Sequence, residues 1–427
     1  MVWGDHVKKI KEESISNNFD DSRDEIREII VERKSGFNIP EVIIIIIISI
    51  LFGIVIGGII NYRVKNINKN LPTDLDEFIF TYNNIVDNYY EKIDKKKLLD
   101  AAIEGMVGSL GDEYSIYMNS SETDSFNETV GGSYAGIGAT VAHIDNKNQI
   151  IDMFENSPAL KAGLKVGDVF QKIDGKDVST IDVSTLTDLI KGEKDTVINV
   201  EVLRDDKLVT VNVTRDNIEI PSVTGKVYDV NDKKIGYIYV STFAANTYNQ
   251  FHSELKSLEK KKIDSLIIDL RDNPGGHLNQ ATKLLSLFLS KDKILYQLET
   301  KGVKEPIYSE SKEKRNYNVA VLINSNSASA SEIVAACFKE SYKNSVIIGV
   351  NSFGKGTVQQ AYQLTNGSSL KFTVQKWLTP NGNWINDVGV APDEIVELNS
   401  DYRNNLIDDN DNQLQKAFDL LSKKDSK

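Results

Sequence analysis

The chain has one cysteine, Cys337, and four histidines, His6, His143, His252 and His277, in 427 residues. A single thiol excludes an intrachain disulfide and any metal cluster built on cysteine. Set in an apolar helical pattern, Cys337 reads as a small buried hydrophobe. None of the histidines stands in a motif that would make it the base of a Ser-His-Asp triad. The net charge of −12 is spread along the chain, and the basic residues form no stripe interleaved with aromatics. That argues against nucleic acid as a partner. There is no internal repeat of solenoid type either.

What is present describes a folded protein of two to three domains, 40% hydrophobic and 26% charged. Residues 1–40 are polar and charged in both signs, which predicts a short cytoplasmic segment. Val42 to Ile60 carries no charge for nineteen residues, within the roughly 17–25 that span a bilayer. The run starts too late and is too long for a typical signal peptide, so an uncleaved transmembrane anchor is expected over 41–61. Basic residues on the two flanks are nearly balanced, Arg27, Arg33 and Lys34 against Arg63, Lys65 and Lys69, and leave the orientation open.

Residues 62–127 read as a linker and helical region: Leu75, Phe78, Ile79, Tyr82, Ile85, Val86 and Tyr89 fall at helical spacing, then Leu98, Ile103, Met106 and Val107. Over 128–216 the pattern changes to short alternating strands with glycine turns and one helix near Ser184 to Ile190. After Pro221, apolar runs such as Ile235–Val240, Ser265–Leu270, Val319–Ile323 and Val346–Val350 alternate with helical stretches. This rhythm predicts an α/β core of mixed, mostly parallel sheet with covering helices over 217–398. The remainder, 399–427, reads as an acidic tail with one amphipathic helix, Leu414 to Leu421.

Two short sequences carry candidate chemistry, Asn324-Ser-Asn-Ser-Ala-Ser-Ala-Ser-Glu332 and Ser352-Phe-Gly-Lys-Gly-Thr-Val-Gln-Gln360. A serine hydroxyl becomes a useful nucleophile once a base takes its proton, and a lysine does that when burial lowers its pKa. Ser329 begins Ser-x-x-Glu with Glu332, which alone is a helix capping box. As a nucleophile at a helix start it would gain the N–H of Ala330 as an oxyanion donor. Ser327 and Ser331 stay open as alternatives. Lys355 has a rival reading, because Gly349-x-x-x-x-Gly354-Lys355 is a phosphate loop but for one position. Gly356 stands where the magnesium-binding hydroxyl should be, and Thr357 onward reads as strand, so that reading fails. On a strand, Thr357 and Gln359 share a face with Lys355, and Gln359 can hydrogen-bond the amine. Asp269-Leu-Arg-Asp-Asn-Pro-Gly-Gly276 ends a strand in a tight turn whose Gly275 or Gly276 could supply a second oxyanion N–H.

Together these motifs resemble the carboxyl-terminal processing proteases, serine peptidases with a Ser/Lys dyad. Tyr134-Ala-Gly-Ile-Gly-Ala139, Ser157-Pro-Ala-Leu-Lys-Ala-Gly-Leu-Lys-Val-Gly-Asp168 and Ile173-Asp-Gly175 are similar to that family's PDZ domain, and the likeness runs over about 74–397 to Lys376–Trp384 and Gly389–Asp393. The resemblance implies Ser329 as nucleophile, Lys355 as base and Gln359 as the residue that orients the lysine. It implies no metal or cofactor. It also implies that Gly136, Ile137 and Gly138 present backbone N–H groups to a substrate's C-terminal carboxylate, with the peptide added as a strand. Arg204, at the end of a strand of that module, is a candidate sensor. Unfolded or tailed proteins are the expected partners, with possible pairing of two copies through the N-terminal helices. The catalytic part is placed outside the cytoplasm, on a single-pass anchor in the cell membrane. The spacing from Ser329 to Lys355 is one residue longer than is usual in the family, with the extra residue within Lys339–Ser345. A scaffold that binds C-termini without hydrolysis is the alternative; intact Ser329, Lys355 and Gln359 count against it.

Overall fold

The computed structural model describes residues 43, 46–50, 52–58, 75–311, 315–400 and 408–423. The chain divides into two compact units, Met1–Ile93 and Asp94–Lys427. In the first, residues 46–50 and 52–58 are helical and exposed, and α1 (Leu75–Asn88) starts with Asp76 and Glu77, which suit the positive end of its dipole. The expected membrane-spanning helix is corrected here. A crossing needs about 20 continuous apolar helical residues, and no helix among the described residues is long and apolar enough. Val42, Ile44, Ile45, Leu51, Ile59 and Ile60 of the apolar run, like the segment 1–40, lie outside the described residues.

The second unit begins with α2 (Lys95–Gly108), β1 (Ile116–Met118) and α3 (Ser120–Gly131). The small module follows: β2 (Ser133–Gly136), β3 (Ala139–Ile144), β4 (Lys147–Met153), α4 (Pro158–Ala162), β5 (Val169–Ile173), β6 (Lys176–Asp177), α5 (Val183–Ile190), β7 (Val197–Arg204), β8 (Lys207–Thr214) and β9 (Asp216–Glu219). Strands β3-β4-β5-β7-β8 form one antiparallel sheet, with β6 beside β5, and β2 pairs with β9 to close the module. Its core gathers Ile150, Phe170, Leu186, Ile198, Val200 and Val202, where the alternate residues of β7 turn inward.

The large domain comprises β10 (Val223–Val230), β11 (Lys233–Val240), α6 (Thr247–Lys260), β12 (Ser265–Asp269), α7 (Leu278–Ser286), β13 (Ile294–Thr300), β14 (Val303–Tyr308), β15 (Asn318–Ile323), α8 (Ala330–Ser341), β16 (Ser345–Gly349), β17 (Thr357–Gln363), β18 (Ser369–Leu378), β19 (Glu394–Ile395) and α9 (Asn412–Ser422). Its main sheet runs β10-β11-β12-β15-β16-β19, antiparallel only between β10 and β11. Every residue of β12 is buried, as befits a central parallel strand covered on both faces. Leu266, Ile268, Val319, Val321 and Ile323 face α6, α7 and α8, while Ile267, Ala320, Leu322 and Ile348 face Leu414, Ala417, Phe418 and Leu421 of α9.

Thus the C-terminal stretch, read from sequence as a tail, supplies the third layer of the core. Arg271 clamps it: the buried guanidinium donates to Asp269 on one side and to Asp411 and Gln413 at the start of α9 on the other. A second sheet, not anticipated, runs β1-β18-β13-β14 with β17 on β18. Its β13-β14 hairpin turns at Lys301-Gly302, both with positive φ (49° and 86°), a two-residue turn that matches the twist of its strands.

Candidate active site

Ser329 immediately precedes α8, with φ 55° and ψ −112°. A non-glycine residue held there carries strain of about 1–3 kcal/mol, which the surroundings must hold in place. They are stitched to do so. Ser327 Oγ donates to Leu270 O (2.8 Å), Ala328 N and Ser331 Oγ both donate to Asn273 O (3.0 Å each), and Asn324 Nδ2 donates to Asp272 (2.9 Å). Ser327 and Ser331 are therefore buried and engaged, whereas Ser329 is only partly buried and its side chain makes no capping hydrogen bond; Glu332 N bonds the Ser329 carbonyl instead.

The Asp272–Gly276 turn packs its glycines against the serine. A Cβ on Gly275 would stand 2.9 Å from Ser329 Cβ and 3.1 Å from Ala330 N. Of the two glycines considered as oxyanion donors, Gly275 already donates its N–H to Asn273 Oδ1 (2.9 Å). Among the described residues the N–H groups of Gly276 and Ala330 have no acceptor. Asn273 is itself held by Val240 O (2.8 Å), so one buried asparagine shapes the turn.

Lys355 lies in the loop before β17, whose backbone is pinned from outside. Trp377 Nε1 donates to Lys355 O (2.7 Å), Trp384 Nε1 to Gly356 O (2.9 Å), and Gly356 N to Asn386 Oδ1 (3.0 Å). A side chain at Gly356 would meet Trp384 Nε1 at 2.6 Å. The phosphate-loop reading is excluded by geometry, since the N–H groups of Gly354 and Lys355 both point to the Glu332 carboxylate (2.6 and 2.9 Å). Burial pushes the Lys355 amine below the usual lysine range and the nearby Lys371 charge adds to this, against the pull of Asp112, Glu332 and Glu113. Its Nζ rests 4.4 Å from the centroid of the Tyr114 ring.

Ser329 and Lys355 line one cavity of about 350 Å³ together with Gly276, His277 and residues 357–361 of β17. They share it without a mutual hydrogen bond. Gln359 lines it too, but its Nε2 donates to Thr357 Oγ1 (2.9 Å) and Thr373 Oγ1 (3.0 Å) and not to the lysine. The expected contact of Gln359 with the amine is absent. Several lining residues were missed from sequence, Phe126, Val130 and His277 among them. Phe126 and Val130 come from α3, whose Asn119/Glu122 capping box was the available signal. His277 enters at the start of α7 with Nε2 on Val130 O (3.0 Å), so it is held by the backbone of α3.

A second cavity of about 290 Å³ lies in the small module between β3 and α5, lined by Ile137 and Gly138 but not Gly136, which pairs with Asp216 within the β2-β9 ribbon. Among the described residues the N–H groups of Ile137 and Gly138 have no acceptor. Glu128 and Thr129 of α3 and Lys191 complete the walls, and Lys191 pairs with Glu128. Arg204 is not there: it makes a bidentate bond to Asp168 (2.7 and 2.6 Å) and a third to Gly163 O.

Comparison with known proteins agrees with this layout. Residues 234–396 match peptidase family S41, 135–214 match the PDZ domain, and 60–123 match the N-terminal domain of the activating protease CtpB. The carboxy-terminal processing protease CtpB of Bacillus subtilis (strain 168) is 39% identical over 321 residues, 74% of this chain and 67% of its own length. CtpA of the same strain is 40% identical over 325 residues, 76% of this chain and 69% of its own. The solved photosystem II D1 C-terminal processing protease overlays with a TM-score of 0.46 at 23% identity, over 83% of this chain and 98% of that one, and adds nothing to the assignment. The chain belongs to peptidase family S41, as a C-terminal processing serine peptidase with a PDZ domain.

Proposed function

We propose that the chain cleaves proteins near C-termini held in its PDZ groove, by acyl-enzyme chemistry at Ser329 with Lys355 as base. The observation that carries this is the meeting, in one cavity, of a strained serine at a helix start, a lysine with a depressed pKa and Gly276, whose N–H, like that of Ala330 next to the serine, has no acceptor among the described residues. The neutral Lys355 amine takes the Ser329 proton as Oγ attacks the scissile carbonyl carbon. Gly276 and Ala330 N–H hold the developing oxyanion. The ammonium then protonates the leaving amine, and the amine, neutral again, activates a water that releases the acyl group. To begin, the Lys355 side chain swings off Tyr114 toward Ser329, with Gln359 turning its carbonyl oxygen to the amine to aim it.

In the groove, Ile137 and Gly138 N–H receive the substrate carboxylate, and the peptide lies beside β3 as an added strand. The exposed Leu75, Phe78 and Ile79 of α1 support pairing of two copies through the N-terminal helices, which light scattering of the purified chain would measure. Placement of the peptidase outside the cytoplasm rests on family likeness and is tested by protease accessibility in intact cells. For the reaction itself, the full-length chain should degrade an unfolded protein such as casein and Ser329→Ala should abolish this. Undiminished degradation by Ser329→Ala would sink the mechanism.

A further inference from the structure

Glu332 is fully buried in the first turn of α8, and its partnership with Ser329 as a helix cap accounts for one of its four hydrogen bonds. Oε2 accepts from Ser329 N (2.7 Å) and Lys355 N (2.9 Å), and Oε1 accepts from Gly354 N (2.6 Å) and Ser352 Oγ (2.6 Å). Three of those donors have nothing to do with capping, for they belong to the loop that carries the base. A cap would be complete with Ser329 alone.

We propose that Glu332 is a positioning residue for the peptidase reaction, one buried carboxylate that fixes the backbone of the nucleophile relative to the backbone of the base. This rests on the Ser/Lys reading given above. The chemistry of the contacts supports it. A carboxylate only accepts and has lone pairs for four donors, so it can hold two backbone segments at once. Phe353 N, bonded to Ser327 O (3.0 Å), ties the same two loops alongside. Glutamine in this place keeps a single acceptor oxygen and turns an NH2 toward two of the four donors, leaving them unpaired in a buried site. The charge has a second consequence. It favours the Lys355 ammonium, together with Asp112 and Glu113 from the segment before β1, and against Lys371 of β18. Tyr114 lies under the amine and His277 lines the same cavity from α7.

The test uses the full-length chain, a fluorogenic peptide, and fluorophosphonate labelling read by mass spectrometry. Glu332→Gln should lower kcat by about 10- to 100-fold, as for a misplacement on the order of 1 Å, with KM nearly unchanged. With the negative charge gone, the rise of activity with pH should begin at lower pH. Glu332→Asp keeps the charge but withdraws the carboxylate by about one carbon–carbon bond, roughly 1.5 Å; kcat should fall while the pH limb stays at the wild-type position. Ser352→Ala removes one neutral donor, so kcat should fall by about threefold, well short of a full misplacement, with no movement of the limb. Wild-type kcat and an unmoved limb in a folded Glu332→Gln overturn the proposal. Should Glu332→Gln fail to fold, wild-type kcat in both Glu332→Asp and Ser352→Ala overturns it. Failure of the underlying reading looks different: there, wild-type protein is not labelled at Ser329, or Ser329→Ala and Lys355→Ala keep full turnover.

Discussion

Gly275→Ala tests the contact between the Asn-Pro-Gly-Gly turn and the nucleophile. The added Cβ would stand 2.8 Å from Ala328 O, 2.9 Å from Ser329 Cβ and 3.1 Å from Ala330 N. Comfortable contacts lie near 3.5–4.0 Å, so the Ser329–Ala330 peptide or the turn must retreat by about half an ångström to one ångström. The φ of Gly275 is 102°, where an alanine is strained at a cost of about 1–3 kcal/mol. Neither effect is large enough alone to unfold a domain of this size, because the shift can be shared between the turn and the start of α8. For catalysis it matters more, since the atoms that retreat belong to the nucleophile and to the Ala330 oxyanion donor. A displacement approaching 1 Å corresponds to a loss of about 100-fold in rate, or about 2.7 kcal/mol of transition-state stabilisation. The assay is kcat/KM on a fluorogenic peptide, beside a melting curve, which should fall only by the few degrees that this strain implies, and binding of a C-terminal peptide to the PDZ groove, which should change little. A folded Gly275→Ala with kcat/KM within about threefold of wild type, far short of that 100-fold, would refute the reasoning.

Activity should increase as pH rises through the depressed pKa of Lys355, because only the neutral amine takes a proton; a flat profile from about pH 5 to 9, below the ordinary lysine range, contradicts a lysine base. Tyr114→Leu removes a ring face that favours the ammonium by about 0.5–2 kcal/mol, so the pH limb should move to lower pH, and movement upward would contradict the cation–π reading. Asp411→Ala takes two charge-assisted bonds from the buried Arg271 and the N-cap from α9. It should cost about 3–5 kcal/mol of unfolding free energy in urea titrations, and a loss below about 1 kcal/mol would show that the clamp is dispensable.

The parallel core was readable because Ile235–Val240, Ser265–Leu270, Val319–Ile323 and Val346–Val350 are apolar on both faces, a pattern that only doubly covered strands need. The second sheet was not. Its strands β13, β14 and β18 carry Gln, Lys and Glu among half-buried residues, and its pairing of β1 with β18 joins residues about 250 positions apart, such as Ile116 and Lys371. The helix α3 escaped for a related reason: only Phe126 and Val130 are large and apolar in it, so it has no stripe to detect. At the site, Ser329 and Lys355 were legible as residue types in motifs. Which glycine keeps its N–H free depended on Asn273, and the fourfold engagement of Glu332 depended on a loop some twenty residues downstream, neither of which leaves a periodic trace. The apolar run from Val42 misled in the opposite sense, since hydropathy alone implied a spanning helix that the described residues do not form.

The central claim is that Ser329 becomes acylated with Lys355 as its base. Rapid acid quenching of the full-length chain during turnover of a peptide ester, followed by mass spectrometry, measures this directly. The account predicts an acyl adduct on Ser329 that is lost in Lys355→Ala; an adduct on Ser327 or Ser331, or undiminished acylation without the lysine, would contradict it.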